Sequence, residues 1–479
     1  MNSKVVFLNF LWSFSEKIVA QLVSFVVSII IARILLPEDY GIISIVMVFI
    51  TFANILVTNS FSSALIQKKD TDDLDYSSVF YFSVILSIFL YLIVFIISPL
   101  ISKWYGMPVL TPVLRVLGIR IILASINSVQ SSYVSKNLLF KKLFKANIIG
   151  IIISAIIGIV MAYYNFGVWA LVAQYLSCSI INTIAMWIEI KWRPKKIFSF
   201  NRLKTLISYG WKLLASALVG TLYDDLRTLI IGKMYSSNDL AYYTRGQQFP
   251  KLIMTNVNSS FSTVLFPVFS SIQDEKNKLE IGHRKSIQVS SGIISPLMLG
   301  LAAIATPVVK LLLTDKWLPC VPFLQICCLF YLITSLYTLN LQMFKAVGRS
   351  GLSLSMELID NLLGLLLIAL FYKKGVLVIA WITLLTRLIA YFTSLIFTKK
   401  ILNVNYFSQI KDIFTPIVLS LIMYIIVKSV DYLSLNYVVI LVIQILLGFI
   451  VYILLSIIFK LPYLNIIMSF IKKNLKKIK

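Results

Sequence analysis

Apolar residues run along this chain in blocks of roughly 20, the length at which a helix crosses the hydrocarbon core of a bilayer, with short polar breaks between them. The blocks do not alternate apolar with polar, as barrel strands of about 10 residues would; 148–161 reads IIGIIISAIIGIVM. Lipid offers the backbone no hydrogen-bond partners, so such blocks must be helices. The pattern predicts spans over 8–34, 41–66, 78–101, 113–134, 146–164, 168–190, 206–231, 247–270, 287–312, 321–344, 352–372, 376–397, 413–430 and 437–459. The expectation is an all-α integral membrane protein of about fourteen helices joined by short connections.

Composition agrees with that pattern. Of 479 residues 59% are hydrophobic and 13% charged, and the mean hydropathy is +0.91, too apolar for a water-soluble domain. A formal charge of +25 raises the question of nucleic acid, but the cations gather in alternate connections. Roughly 28 lie on the side of the N-terminus and roughly 7 on the other, the skew that orients a membrane protein with both termini in the cytoplasm. The richest connections are 136–145, 191–204, 276–285 and the tail 472–479. They set topology and meet anionic lipid, so no nucleic-acid partner is expected. Outer connections are short, as in Pro37-Glu38-Asp39. The first ten residues carry one lysine and no A-x-A-like cleavage site, so the N-terminus is expected to be retained.

Little catalytic chemistry is on offer. Cys178, Cys320, Cys327 and Cys328 show no CxxC spacing, and the one histidine, His283, falls in a charged connection. Neither a metal site, a catalytic set nor an enzyme is expected. No GxxxxGK[ST] occurs, so any energy must come from a gradient or a partner. Trp104, Trp169, Trp192 and Trp317 fall near span ends, where interfacial tryptophan belts form.

An internal repeat is visible at an offset of 200: IIARILLPEDYGII at 30–43 aligns with IIGKMYSSNDLAYY at 230–243. Arg33 then matches Lys233, and Asp39 matches Asp239. Six predicted helices separate the copies, so both run in the same direction. Parallel repeats are a transporter device. This reading divides the chain into an N-terminal six-helix lobe (1–195), a C-terminal six-helix lobe (196–400) and two further helices with a basic cytoplasmic tail (401–479). The two lobes would be related by a pseudo-two-fold axis.

ARILLPEDYGI at 32–42, the segment 193–252 and LFPVFSSIQDEKNKLEIGHRKS at 265–286 resemble the polysaccharide transporter family, the Wzx-type flippases of the MOP superfamily. The branch with teichuronic and colanic acid exporters is the most similar, and the resemblance spans roughly 8–400. It implies two six-helix lobes plus two helices in the bacterial inner (plasma) membrane. It also implies export of an undecaprenyl-diphosphate-linked oligosaccharide by alternating access, for O-antigen, capsule or exopolysaccharide synthesis. Its partners would be membrane lipid, a polysaccharide polymerase and glycosyltransferases. Arg33, Pro37, Asp39 and Gly41 match the first signature, and Gly232, Tyr243 and Arg245 the second. The second turn lacks the Pro and the Gly, so it must be built differently. Two rivals share parts of the pattern: an ion-coupled drug exporter of the same superfamily, and a membrane oligosaccharide polymerase or ligase, for which the outer connections are too short.

Charges inside spans mark the candidate sites, since each costs on the order of 3 kcal/mol at a helix centre unless it faces a cavity or partner. Lys17, Arg120, Lys212, Arg227, Lys251 and Arg387 are the cations suited to a diphosphate. Asp224, Asp225, Glu357 and Asp360 are the acids suited to a coupling ion, Na+ or H+. Asp224 and Arg227 share a helix face, as do Glu357 and Asp360, with Arg387 on the next helix as a partner. Each acid group fits both a self-neutralising pair and an ion site. Arg115 and Lys310, near span ends, are expected to snorkel to the interface.

Overall fold

The computed structural model describes residues 3–68, 70–402, 405–433, 435–459 and 461, with side chains described except those of 3–17, 59–61, 63, 209, 212, 213, 216, 219 and 263. The described residues form fifteen α-helices: α1 (Ser3–Ile34), α2 (Pro37–Gln67), α3 (Asp73–Tyr105), α4 (Leu110–Lys136), α5 (Phe140–Tyr163), α6 (Val168–Glu189), α7 (Phe200–Met234), α8 (Ser237–Ser271), α9 (Lys276–Ala303), α10 (Ala305–Leu313), α11 (Val321–Ala346), α12 (Ser350–Phe371), α13 (Val376–Leu402), α14 (Tyr406–Ser429) and α15 (Tyr437–Ile458). All but the nine-residue α10 are 22 residues or longer. Among the described residues, twelve helices are long and apolar enough to cross a membrane. The protein is a multi-pass, all-α membrane protein. The basic tail 472–479 lies outside the described residues.

Three boundaries differ from the sequence expectation. Pro37, Glu38 and Asp39 form the first turn of α2 rather than a connection, with the proline at the position where its missing N–H costs nothing. The expected single helix over 287–312 breaks at Ile304 into α9 and α10. At its other end α9 extends back to Lys276, because no proline interrupts the polar stretch before Ile287. His283 is therefore buried within a helix, not in a charged connection; its Nε2 lies 2.9 Å from Asn340 Oδ1.

Prolines inside helices free the carbonyl four residues back, and lipid cannot satisfy it. In α3 Pro99 frees the carbonyl of Phe95, which accepts from Ser98 Oγ at 2.8 Å and Arg115 Nε at 3.4 Å. Arg115 also donates to Ser98 Oγ at 3.1 Å and lies 4.1 Å over the Phe95 ring, so it repairs this break rather than snorkelling. In α9 Pro296 frees the carbonyl of Gly292, and Tyr452 on α15 donates to it at 2.7 Å. Lys310 is fixed by Asp315 at 3.2 Å and the Tyr437 hydroxyl at 3.1 Å.

Packing divides the chain into two compact units, Met1–Ala241 and Tyr242–Lys479. In the first, α5 packs on α6, α3 on α4, and α2 on α4 and α7. Its core includes Leu65, Val79, Val134 and Met186, with Tyr76, Tyr133 and Trp192 in mutual ring contact. Trp192 is thus buried, and so is Trp317 in the second unit; neither belongs to an interfacial belt. In the second unit α14 packs on α9, and α11 on α9 and α13. Helix α7, which the repeat assigns to the second lobe, packs on α2 and α3 in the first unit.

The repeated turns share one cap. Asp39 Oδ2 accepts from the Leu36 N–H at 3.1 Å, and Asp239 Oδ2 accepts from the Ser236 N–H at 3.2 Å. Ser236, the counterpart of Leu36, adds its hydroxyl, which donates to Asp239 at 2.7 Å and accepts from the Asp239 N–H at 3.1 Å, a side-chain cap that Leu36 cannot make. The two copies also touch. A Cβ on Gly41 would lie 2.0 Å from the Ser237 carbonyl oxygen, and one on Gly232 would lie 2.9 Å from Ile45.

Candidate functional site

In-span charges are fixed by the fold in both units. In the first unit α4 presents Arg120 to α6. Its Nε donates to Ser179 Oγ at 3.0 Å, its Nη1 points to Met47 Sδ at 3.3 Å, and its guanidinium lies 5.3 Å from the Tyr175 ring centre. Ser179 is held because its own hydroxyl donates back to the Tyr175 carbonyl at 3.1 Å. About two turns further along α4, Asn127 donates to Thr183 Oγ1 at 2.8 Å, so the α4–α6 seam is polar. Among the described residues no carboxylate lies within ion-pair distance of Arg120.

Helix α7 carries a separate ion pair in the same unit. Arg227 is 2% exposed, pairs with Asp224 at 2.6 Å and lies 5.2 Å from the Tyr223 ring. The pair is lopsided: the Asp224 side chain is 53% exposed, so Arg227 anchors an acid that reaches outward. Asp225 is half-buried.

In the second unit Arg387 on α13 pairs with Asp360 on α12 at 3.3 Å, and its guanidinium lies 5.2 Å from Phe330 and 5.1 Å from Tyr337, both on α11. Glu357, one turn before Asp360, is half-buried. Lys251 is exposed on α8, and the side chains of Lys17 and Lys212 lie outside those described. The structure therefore joins four of the ten candidates into two ion pairs, Asp224–Arg227 and Asp360–Arg387.

Other groups were not visible in the sequence because their partners are far apart along the chain. Arg284 grips Asp412 through two bonds of 2.7 and 3.0 Å, and Gln288 donates to the same carboxylate at 2.6 Å, tying α9 to α14. Near the start of α3, Lys68 pairs with Asp75 and Lys195 with Asp73, each at 2.5 Å, while Arg202 reaches Asp72 at 3.6 Å. The connection from α6 to α7 is strapped alongside: the Lys195 and Ser199 N–H groups donate to Ser77 and Ser78 hydroxyls at 3.0 and 2.9 Å. The Asp75 backbone N–H, aided by Arg202 and Lys68, holds the Asp72 carboxyl below the usual carboxylate range.

An apolar groove of about 480 Å³ lies within the second unit, lined by Pro296, Leu297, Gly300, Met423, Ile445 and Phe449 among others. Its polar margin includes Gln444, which donates to the Val427 carbonyl at 3.1 Å and to Asp431 at 2.7 Å. Among the described residues no group of three His, Cys, Asp or Glu side chains could hold a metal ion.

A family model described as polysaccharide biosynthesis protein matches residues 30–322, more than half of the chain. The succinoglycan biosynthesis transport protein ExoT of Rhizobium meliloti (strain 1021) is 23% identical over 351 residues, which cover 73% of this chain and 71% of that protein. The teichuronic acid biosynthesis protein TuaB of Bacillus subtilis (strain 168) is 23% identical over 383 residues, 79% of each. In three dimensions the chain matches lipid II flippase MurJ in an inward closed conformation with a TM-score of 0.77 at 17% identity, covering 96% of this chain and 100% of that one. That match establishes a shared fold.

Proposed function

Because this chain belongs to the polysaccharide biosynthesis protein family, we infer that it moves an undecaprenyl-diphosphate-linked oligosaccharide from the cytoplasmic to the outer leaflet of the bacterial inner membrane. The relatives named for succinoglycan transport and teichuronic acid synthesis support a surface polysaccharide as the product. Transport proceeds by alternating access between the two lobes of the repeat, with both termini in the cytoplasm. The polysaccharide polymerase and the glycosyltransferases are the natural neighbours of such a protein.

Arg120 carries this reading. A guanidinium inside a span, bonded to a hydroxyl and a thioether with no carboxylate partner among the described residues, leaves a positive charge uncompensated in a low-dielectric seam. Such a charge is worth its desolvation cost when the cargo is an anion, and a diphosphate supplies oxygens that a guanidinium binds in pairs. Arg227 adds a second buried cation in the same unit.

The test is made in cells that lack this protein, with and without complementation. Loss of surface polymer with lipid-linked units trapped on the cytoplasmic leaflet is the expected result. Unchanged polymer with altered sensitivity to cationic drugs would transfer the protein to the exporter class.

A further inference from the structure

Helix α8 carries two unlike faces through the membrane. Ile253 lines the apolar groove of the second unit, whereas Lys251, Thr255, Asn258 and Ser262 recur at spacings of four, three and four residues on the opposite side. At 1.5 Å per residue this line runs about 16 Å along the axis, and Thr255 and Asn258 fall near the middle of the 247–270 span. Lys251 and Thr255 are exposed, and Asn258 and Ser262 are half-buried. Hydrocarbon cannot hydrogen-bond an ammonium, a hydroxyl or an amide, so an open polar face at this depth meets water or a polar guest rather than lipid. Val264 and Val268, exposed further along α8, are apolar, as lipid contact requires.

A second helix contributes. Gln342 on α11 donates its Nε2 to Ser262 Oγ at 3.0 Å, so two helices build that end of the face. Thr255 Oγ1 donates to the Lys251 carbonyl at 2.8 Å, which leaves its oxygen able to accept. From 240 to 273 the sequence holds no carboxylate, and its cations are Lys251 and Arg245, the latter buried with its guanidinium 5.0 Å from the Trp317 ring.

We propose that this face is a sugar-binding track, on which Lys251, Thr255, Asn258, Ser262 and Gln342 hydrogen-bond the hydroxyls of the oligosaccharide. That the guest is a glycan rests on the transport reading above; that the face is open to water does not. A sugar hydroxyl both donates and accepts, and so do the hydroxyls and amides of the track. Because successive positions offer like groups, a bond broken at one is replaced at the next, and the glycan can advance without being trapped. A lipid tail is excluded by the polarity, and a lipophilic cation by Lys251 and the lack of carboxylates. A second copy of the chain packed on this face would seal it from water, which the experiment detects.

The full chain is prepared with its four native cysteines replaced by alanine and a single new thiol introduced as Thr255→Cys, Asn258→Cys or Ser262→Cys, or on the apolar side as Val264→Cys or Val268→Cys. A charged, membrane-impermeant thiol reagent should label the three polar positions about tenfold faster than the two apolar ones, since only a thiol in contact with water ionises and reacts. Free repeat-unit oligosaccharide, released from its lipid carrier by mild acid, should slow labelling at the polar positions, whereas undecaprenyl phosphate alone should not. Adding Thr255→Val to the Asn258→Cys protein should raise the protecting concentration about 3- to 10-fold, as loss of one hydrogen bond predicts. Size-exclusion elution verifies that each variant is folded. Polar positions that react no faster than the apolar ones overturn the open face. Open positions that oligosaccharide leaves unprotected overturn the track, and export of lipid-linked glycan by the same protein in vesicles would then leave the transport reading standing without it. Protection in a protein that moves no glycan upholds the track and refutes the flippase reading instead.

Discussion

Arg120 shows what a single residue in this chain has to explain, because its charge is balanced by nothing ionised among the described residues. Arg120→Ala removes charge-assisted hydrogen bonds worth about 1.5–3 kcal/mol, so export should fall about 10- to 100-fold at unchanged membrane level, measured as surface glycan per unit of protein. Arg120→Lys keeps the charge without the planar fork and should recover part of the loss. Sequence reasoning finds such residues well, since an in-span charge is conspicuous against apolar neighbours. It does not say which partner each one meets. Arg227 and Asp224 are three apart on one helix, and their pairing was legible; Arg115 answers to Pro99 across a turn between helices and was not. The sequence points to a connection at His283 because its polar neighbours disguise a helix whose buried face holds it.

At the scale of elements, proline and glycine carry the specific contacts. Tyr452→Phe strips the donor from the carbonyl that Pro296 frees, at a cost of about 1–3 kcal/mol. Pro296→Ala in the same chain restores a backbone N–H, so the double variant should lose less stability than the sum of the single variants in thermal unfolding. Equal additive losses would mean that the bond contributes nothing beyond proximity. Gly41 is a sharper case, because the Ser237 backbone cannot yield. Gly41→Ala is expected to destabilise by about 1–3 kcal/mol or to part α2 from the α7–α8 turn, seen as faster labelling of a cysteine placed at Ser237. The Asp72 strap adds a pH dependence. Its carboxyl has a folded value below its unfolded one, so its contribution is present above about pH 4 and is lost as pH falls through the depressed value. Asp72→Asn should flatten that acid limb of the stability curve.

For the whole molecule, the length and spacing of apolar blocks made the helices and the membrane class legible, because lipid leaves the backbone one solution. The repeat at an offset of 200 was legible from a few identities, and the matching caps of Asp39 and Asp239 give it a physical basis. The grouping of helices was not, since α7 belongs by repeat to one lobe and by packing to the unit holding α2 and α3, which local sequence does not encode. The groove between α9, α14 and α15 was equally invisible, being an absence of side-chain volume rather than a pattern of residues. The measurement that bears most directly on transport is translocation by the purified protein in sealed vesicles, using lipid-linked repeat units from the producing strain and an enzyme or reagent that reaches the outer leaflet alone. Exposure of the inner pool at a rate that depends on this protein, and that falls about 10-fold or more in Arg120→Ala, is the expected result. An inner pool that stays protected with wild-type protein present would contradict it.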